Sequence, residues 1–202
     1  MTSVRWVQVF VLTLWLAAAG TASAGAAPSE PPDEFIRTLS HEAISSLTRD
    51  SISTAERERR FRDLFTKNFD VPGIGQFVLG LYWRRATPDQ RREFLKLFED
   101  FVVRSYAKQF GEYSGDEFRT SQIIRVSETD TLVSSQLRPT AEKQFVRVDW
   151  RVRSVNSAYK IVDVVVEGIS MSVTHRDEFA SVIRSSGGTV DGLIAALRKK
   201  TQ

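Results

Sequence analysis

Val146-Arg147-Val148-Asp149-Trp150-Arg151-Val152-Arg153 alternates without a break between apolar and charged side chains. A period of two marks a strand with one dry face and one wet face, so this stretch places a half-buried sheet in the C-terminal half of the chain. Working outward from it, 118–126, 132–137, 144–153 and 159–167 read as four successive strands. Their short polar connections predict an antiparallel meander. In the last strand Val162, Val164 and Val166 share a face with Lys160, and that face is expected to meet helices.

Upstream the period changes to the helical one. Phe35, Ile36, Leu39, Ala43, Ile44 and Leu47 recur at three- and four-residue intervals and predict an amphipathic helix over 33–49, with His41 on its polar face. Ser53 with Glu56 forms a capping box that opens a second helix, to about Asn68, with Phe61, Leu64 and Phe65 inside. Thr87, Pro88 and Gln90 repeat the start signal for the longest helix, which runs to about Phe110 and carries a wide apolar arc. After the sheet, two closing helices are expected over 174–185 and 189–199, separated at Gly187 and Gly188. The fold class is therefore α+β, with helices packed on one face of a curved, mainly antiparallel four-stranded sheet.

The 202 residues are 42% hydrophobic and 26% charged, an ordinary globular balance that excludes collagenous, disordered and many-pass membrane chains. There is no cysteine, which removes disulfides, thiolate metal sites and thiol nucleophiles at once. Only His41 and His175 remain for metal or triad chemistry, so neither a metal nor a cofactor is expected. The net charge of +3 is small, and Arg57, Arg59, Arg60 and Arg62 are interleaved with Glu56, Glu58 and Asp63. That is a solvated helix face and not a nucleic-acid groove.

The N-terminus reads as an address. Arg5 precedes an uncharged run from Trp6 to Ala19, shorter than the roughly 20 residues that cross a bilayer, and Ala22 and Ala24 supply the small residues of a cleavage site. Residues 1–24 are read as a Sec-type signal peptide directing the chain to the periplasm, 25–32 (GAAPSEPP) as a flexible lead-in, and 33–202 as one domain.

Several apparent motifs fail on their spacing. Gly73, Gly75 and Gly80 miss the dinucleotide fingerprint, because the third glycine falls too late and Pro72 precedes the run. Ser170 and Ser172 lack the second glycine of a nucleophile elbow. His175 and Asp177 point to different sides of a helix, so His175 reads as a surface residue. Asp163, within an apolar strand, is the sharpest enzymatic candidate: a base with a raised pKa acting with Tyr106 or Tyr159 in an isomerase or hydrolase. The competing reading places it on the solvent face, paired with Arg151 or Arg153, and no enzymatic activity is expected.

Val78-Leu79-Gly80-Leu81-Tyr82-Trp83, Ala86-Thr87-Pro88-Asp89-Gln90-Arg91 and Glu167-Gly168-Ile169-Ser170-Met171, with Phe98 and Tyr106 between them, resemble the bacterial toluene-tolerance or MlaC family of periplasmic phospholipid shuttles. The stretch from Arg176 to Ile183 is closer to its hopanoid-associated branch. The resemblance implies a monomeric NTF2-like cone that holds lipid tails in a hydrophobic cavity and passes the lipid between an inner-membrane ABC-type complex and an outer-membrane lipoprotein complex. A hopanoid or other polycyclic cargo is the alternative. It further implies tail contacts from Phe77, Val78, Leu81, Tyr82, Phe98, Phe101, Val102, Tyr106, Val148, Trp150, Val164, Val166 and Met171. Partner docking, to an acidic patch or to anionic headgroups, falls to Arg84, Arg85, Arg91 and Arg92.

Overall fold

A computed structural model of the chain describes residues 28, 30–49, 51–112, 117–138 and 144–202. The expected signal peptide lies outside the described residues, as does half of the lead-in. Three helices come first: α1 (Pro32–Leu47), α2 (Thr54–Asn68) and α3 (Val71–Leu79). The short α4 (Leu81–Arg85) and the long α5 (Pro88–Glu112) follow. The sheet comprises β1 (Glu117–Arg125), β2 (Asp130–Arg138), β3 (Val146–Val155), β4 (Ala158–Val166) and the two-residue β5 (Ile169–Ser170). The chain closes with α6 (Met171–Ser185) and α7 (Val190–Thr201).

The start signals work at atomic level. Ser53 accepts the amide of Glu56, although the Glu56 carboxylate turns to Arg59 and Arg60 instead of reaching back. At Thr87 the box is reciprocal: its hydroxyl accepts the Gln90 amide at 3.2 Å while the Gln90 side chain accepts the Thr87 amide at 2.9 Å. The glycine-rich stretch, by contrast, is helical. Asp70 caps α3 by accepting the Gly73 amide, Pro72 sits in the first turn, and a Cβ on Gly75 would lie 2.4 Å from Leu95, so glycine there lets α3 approach α5 closely.

All five strands pair antiparallel with their sequence neighbours, one strand more than expected. Asn156 and Ser157, both at positive φ, make the tight β3–β4 hairpin. The alternation of β4 is broken. Arg151 pairs with Asp163 but Val152 pairs with Ile161, so Val162 is the extra residue of a bulge. Below the bulge it is Ile161, wholly buried, that faces the interior, and Lys160 instead reaches the Lys67 carbonyl. The expectation that Lys160, Val162, Val164 and Val166 share one face is therefore corrected.

Two apolar clusters result. One lies among the helices, with Val78, Phe94, Phe98, Val102, Phe179 and Leu193 in its interior. The other joins Ile36 and Leu39 of α1 to Val133, Val152 and Ile161 of the sheet. α1 thus lies on the inner sheet face, and the remaining space between α1, α2 and the sheet positions the site.

Candidate functional site

The apolar stripe of α1 continues past the sheet contact as Leu39, Ala43, Ile44 and Leu47, and these side chains face a cavity of about 300 Å³. Opposite them α2 contributes Phe61, Leu64 and Phe65, one helical stripe at three- and four-residue spacing. The rings run on as a wall: Phe110 to Phe61 at 5.7 Å between centroids, Phe61 to Phe65 at 6.1 Å, Phe65 to Phe69 at 4.9 Å. The sheet supplies Phe118, Leu137, Val148 and Trp150. Ser40 and Gln109 are the polar residues among the lining.

α2 also holds α1 in place. Arg57 donates to the Leu47 carbonyl at 2.8 Å and Arg60 to the Ser46 carbonyl at 3.0 Å, so the last turn of α1 has its free carbonyls satisfied by its neighbour. A cavity walled by aromatic and aliphatic groups can hold hydrocarbon, and among the described residues its lining offers no carboxylate, imidazole or ammonium.

The residues expected to touch lipid tails are distributed over three environments. Val148 and Trp150 are on the cavity wall. Val78, Phe98 and Val102 are buried in the helical cluster, with Tyr82, Phe101 and Tyr106 packed against it. Val164 packs on the α1–sheet cluster, and Val166 and Met171 are half-buried. Phe77 and Leu81 face solvent. The stripes of α1 and α2 that do line the cavity are plain in the sequence, but periodicity alone does not distinguish a stripe facing a void from one facing a neighbour. Phe110 ends the expected arc of the long helix and Phe118 and Leu137 bound expected strands, without a signal for the cavity, and Phe69 carried no signal at all.

Of the expected docking cations, Arg84 and Arg85 have no carboxylate within ion-pair distance among the described residues, and Arg85 lies over the Tyr82 ring. Arg91 lies over Trp83 and donates to its carbonyl, and Arg92 pairs with Asp89.

The titratable candidates have other employment. Asp163 accepts the Ser170 hydroxyl at 2.6 Å and the amides of Val164 and Ser172, which ties β4 to the start of α6. Its expected arginine partners are taken by Asp130 instead, which receives Arg151 and Arg153. Tyr159 rests on Phe35. His175 is not a surface residue: its side chain is 13% exposed and lies between the Tyr106 hydroxyl, at 2.9 Å, and Glu178, at 3.1 Å, stacked on Phe179. Burial first, and the Glu178 charge second, push the Tyr106 hydroxyl pKa up. Among the described residues no group of three or more acidic or histidine side chains could hold a metal ion.

The family model described as MlaC protein matches residues 37–199. The toluene tolerance protein ttg2D of Pseudomonas putida is 21% identical over 184 residues, 86% of this chain and 85% of that protein. The intermembrane phospholipid transport system binding protein MlaC of Haemophilus influenzae is 21% identical over 128 residues, 62% of this chain and 59% of its own length. Among solved structures, the phospholipid-binding protein of Ralstonia solanacearum in complex with a phospholipid superposes with a TM-score of 0.74 at 21% identity, covering 83% of this chain and 95% of the other.

Proposed function

The chain belongs to the MlaC protein family, and from that premise we propose that it is a periplasmic carrier that holds phospholipid tails in the cavity between α1, α2 and the sheet. The observation that carries the reading is the cavity itself, about 300 Å³ with walls of Phe, Leu, Ile, Val and Trp. The physical need is large. Each methylene kept from water is worth about 0.8 kcal/mol, so two tails of roughly 15 methylenes each amount to ~24 kcal/mol before offsetting costs. A lipid does not cross an aqueous gap unaided against that figure, and a carrier needs no catalytic residue to help it.

The signal-like segment at 1–24 supports delivery to the periplasm by Sec export. The carrier collects its lipid from one membrane complex and yields it to another, and Arg84 and Arg85, which have no carboxylate within ion-pair distance among the described residues, are its means of docking. The names of the Haemophilus and Ralstonia relatives, which speak of phospholipid, support that cargo.

Protein purified from its own periplasm, extracted with organic solvent and weighed intact by native mass spectrometry, is expected to contain phospholipid in fixed stoichiometry. Protein that is empty and takes none up from liposomes would overturn the proposal. A polycyclic extract would replace phospholipid with a hopanoid-type cargo.

A further inference from the structure

The motif Leu79-Gly80-Leu81-Tyr82-Trp83 takes no part in the cavity wall. Gly80, at φ 57° and ψ −130°, occupies backbone space that a side chain makes costly, and it turns α3 sharply into α4. The corner leaves Phe77 43% exposed and Leu81 53% exposed. Val173 on the adjacent α6 is 37% exposed, and Arg176, one turn further along, lays its guanidinium over the Phe77 ring at 5.0 Å. The stem of Arg176 passes 3.6 Å from where a side chain on Gly80 would begin, so α3, α4 and α6 share one continuous surface.

That surface pairs rings with cations: Phe77 with Arg176, Tyr82 with Arg85 at 5.7 Å, Trp83 with Arg91 at 5.2 Å. Arg84 and Arg85 have no carboxylate within ion-pair distance among the described residues, and Arg176 pairs with the exposed Asp177 at 3.6 Å. Large apolar side chains standing in water beside arginines, of which Arg84 and Arg85 have no carboxylate within ion-pair distance among the described residues, have the composition of a membrane-interface surface, in which rings and aliphatic groups enter the acyl boundary while cations meet phosphates. The cavity between α1, α2 and the sheet and the one beside Tyr159 and Lys160 are lined by other residues, so neither is offered by this surface to an anchoring side chain of a protein partner.

We infer that the α3–α4–α6 corner rests directly on an anionic lipid bilayer, with Phe77, Leu81 and Val173 in the headgroup–acyl boundary and Arg84, Arg85 and Arg176 on lipid phosphates. The inference deepens the carrier reading by naming what these cations meet, and it rests on that reading for its purpose alone.

Co-flotation of the full chain lacking residues 1–24 with vesicles tests it. Wild type is expected to float with equal mixtures of phosphatidylglycerol and phosphatidylcholine, to float poorly with phosphatidylcholine alone, and to lose binding as salt rises. Replacing Arg84 and Arg85 with alanine together should weaken binding by roughly fivefold per arginine. Leu81→Ser should weaken it several-fold and leave the salt dependence intact. These side chains are exposed, and thermal unfolding checks that the variants fold as wild type does. Wild type that stays unbound to the phosphatidylglycerol vesicles, variants that float as wild type, or recruitment confined to vesicles carrying membrane proteins would each overturn the inference. The phospholipid content of the same purified protein reads the carrier proposal separately: loaded protein that does not float refutes only the bilayer contact, whereas empty protein that floats refutes only the carrier.

Discussion

Trp150 donates its indole N–H to the Ser135 hydroxyl at 2.9 Å, and that hydroxyl, with no exposure at all, donates onward to the Val148 carbonyl at 2.8 Å. Ser135 and Val148 are direct partners across β2 and β3, so a polar group at the base of an apolar site is consumed in orienting the ring beside it. The indole is held as a wall of the cavity, with its one donor satisfied within the sheet.

Ser135→Ala should therefore cost about 1–3 kcal/mol, because the indole N–H loses its acceptor in a place water reaches poorly. The same variant should retain less phospholipid, since Trp150 is then free to turn into the cavity. Urea unfolding and lipid extraction check the two effects, and a variant equal to wild type in both would remove Ser135 from the site.

Filling the cavity from α1 is the direct test of occupancy. Ala43 faces the space and His41 is exposed on the same helix. Ala43→Trp is expected to lower extracted lipid well below wild type, at a stability cost of about 1–3 kcal/mol if the ring meets its neighbours. His41→Trp adds the same bulk outside and should leave lipid content unchanged. Equal lipid in both variants would move the binding site elsewhere.

Asp163 should behave as a structural group. Asp163→Ala removes the acceptor for the Ser170 hydroxyl and the Ser172 amide, and a loss of about 1–3 kcal/mol is expected from the groups left unpaired at the start of α6. Lipid uptake per folded molecule should not change. A variant as stable as wild type that no longer supports the protein's physiological role would return Asp163 to the list of functional residues.

Asp130 makes the fold sensitive to acid. Hydrogen bonds from Arg153 above all, and from Arg151, hold its carboxyl at about 2 against the opposing effect of burial. In the unfolded chain the group titrates near ~4, and a carboxyl whose folded pKa is the lower one stabilises the fold above the unfolded value and loses that contribution as pH falls through the folded one. About 2 kcal/mol should therefore disappear between roughly pH 4 and pH 2. Asp130→Asn should be less stable at neutral pH and show a shallower acid slope in urea titrations; an unaltered slope would refute the assignment.

Local signals were enough for some of this protein. The caps at Ser53 and Thr87, the amphipathic stripes of α1 and α2, the alternation of β3 and the break at Gly187 and Gly188 each depend on side chains within a turn or two of one another, and such short-range interactions are written in residue order. The sheet order followed from connections too short to permit another. Where backbone contacts come from far away, order along the chain was silent. The bulge at Val162 is a matter of register between β3 and β4, and it moves Ile161 inward against the alternation. Gly75 lies in a helix on which Leu95 of α5 packs too closely for a side chain, and His175 left the surface because Phe179 and Tyr106 enclose it. The cavity belongs to the same class. Its stripes look like any core stripe, and only the way α1, α2 and the sheet pack around it leaves Leu39, Phe65 and Trp150 lining a cavity.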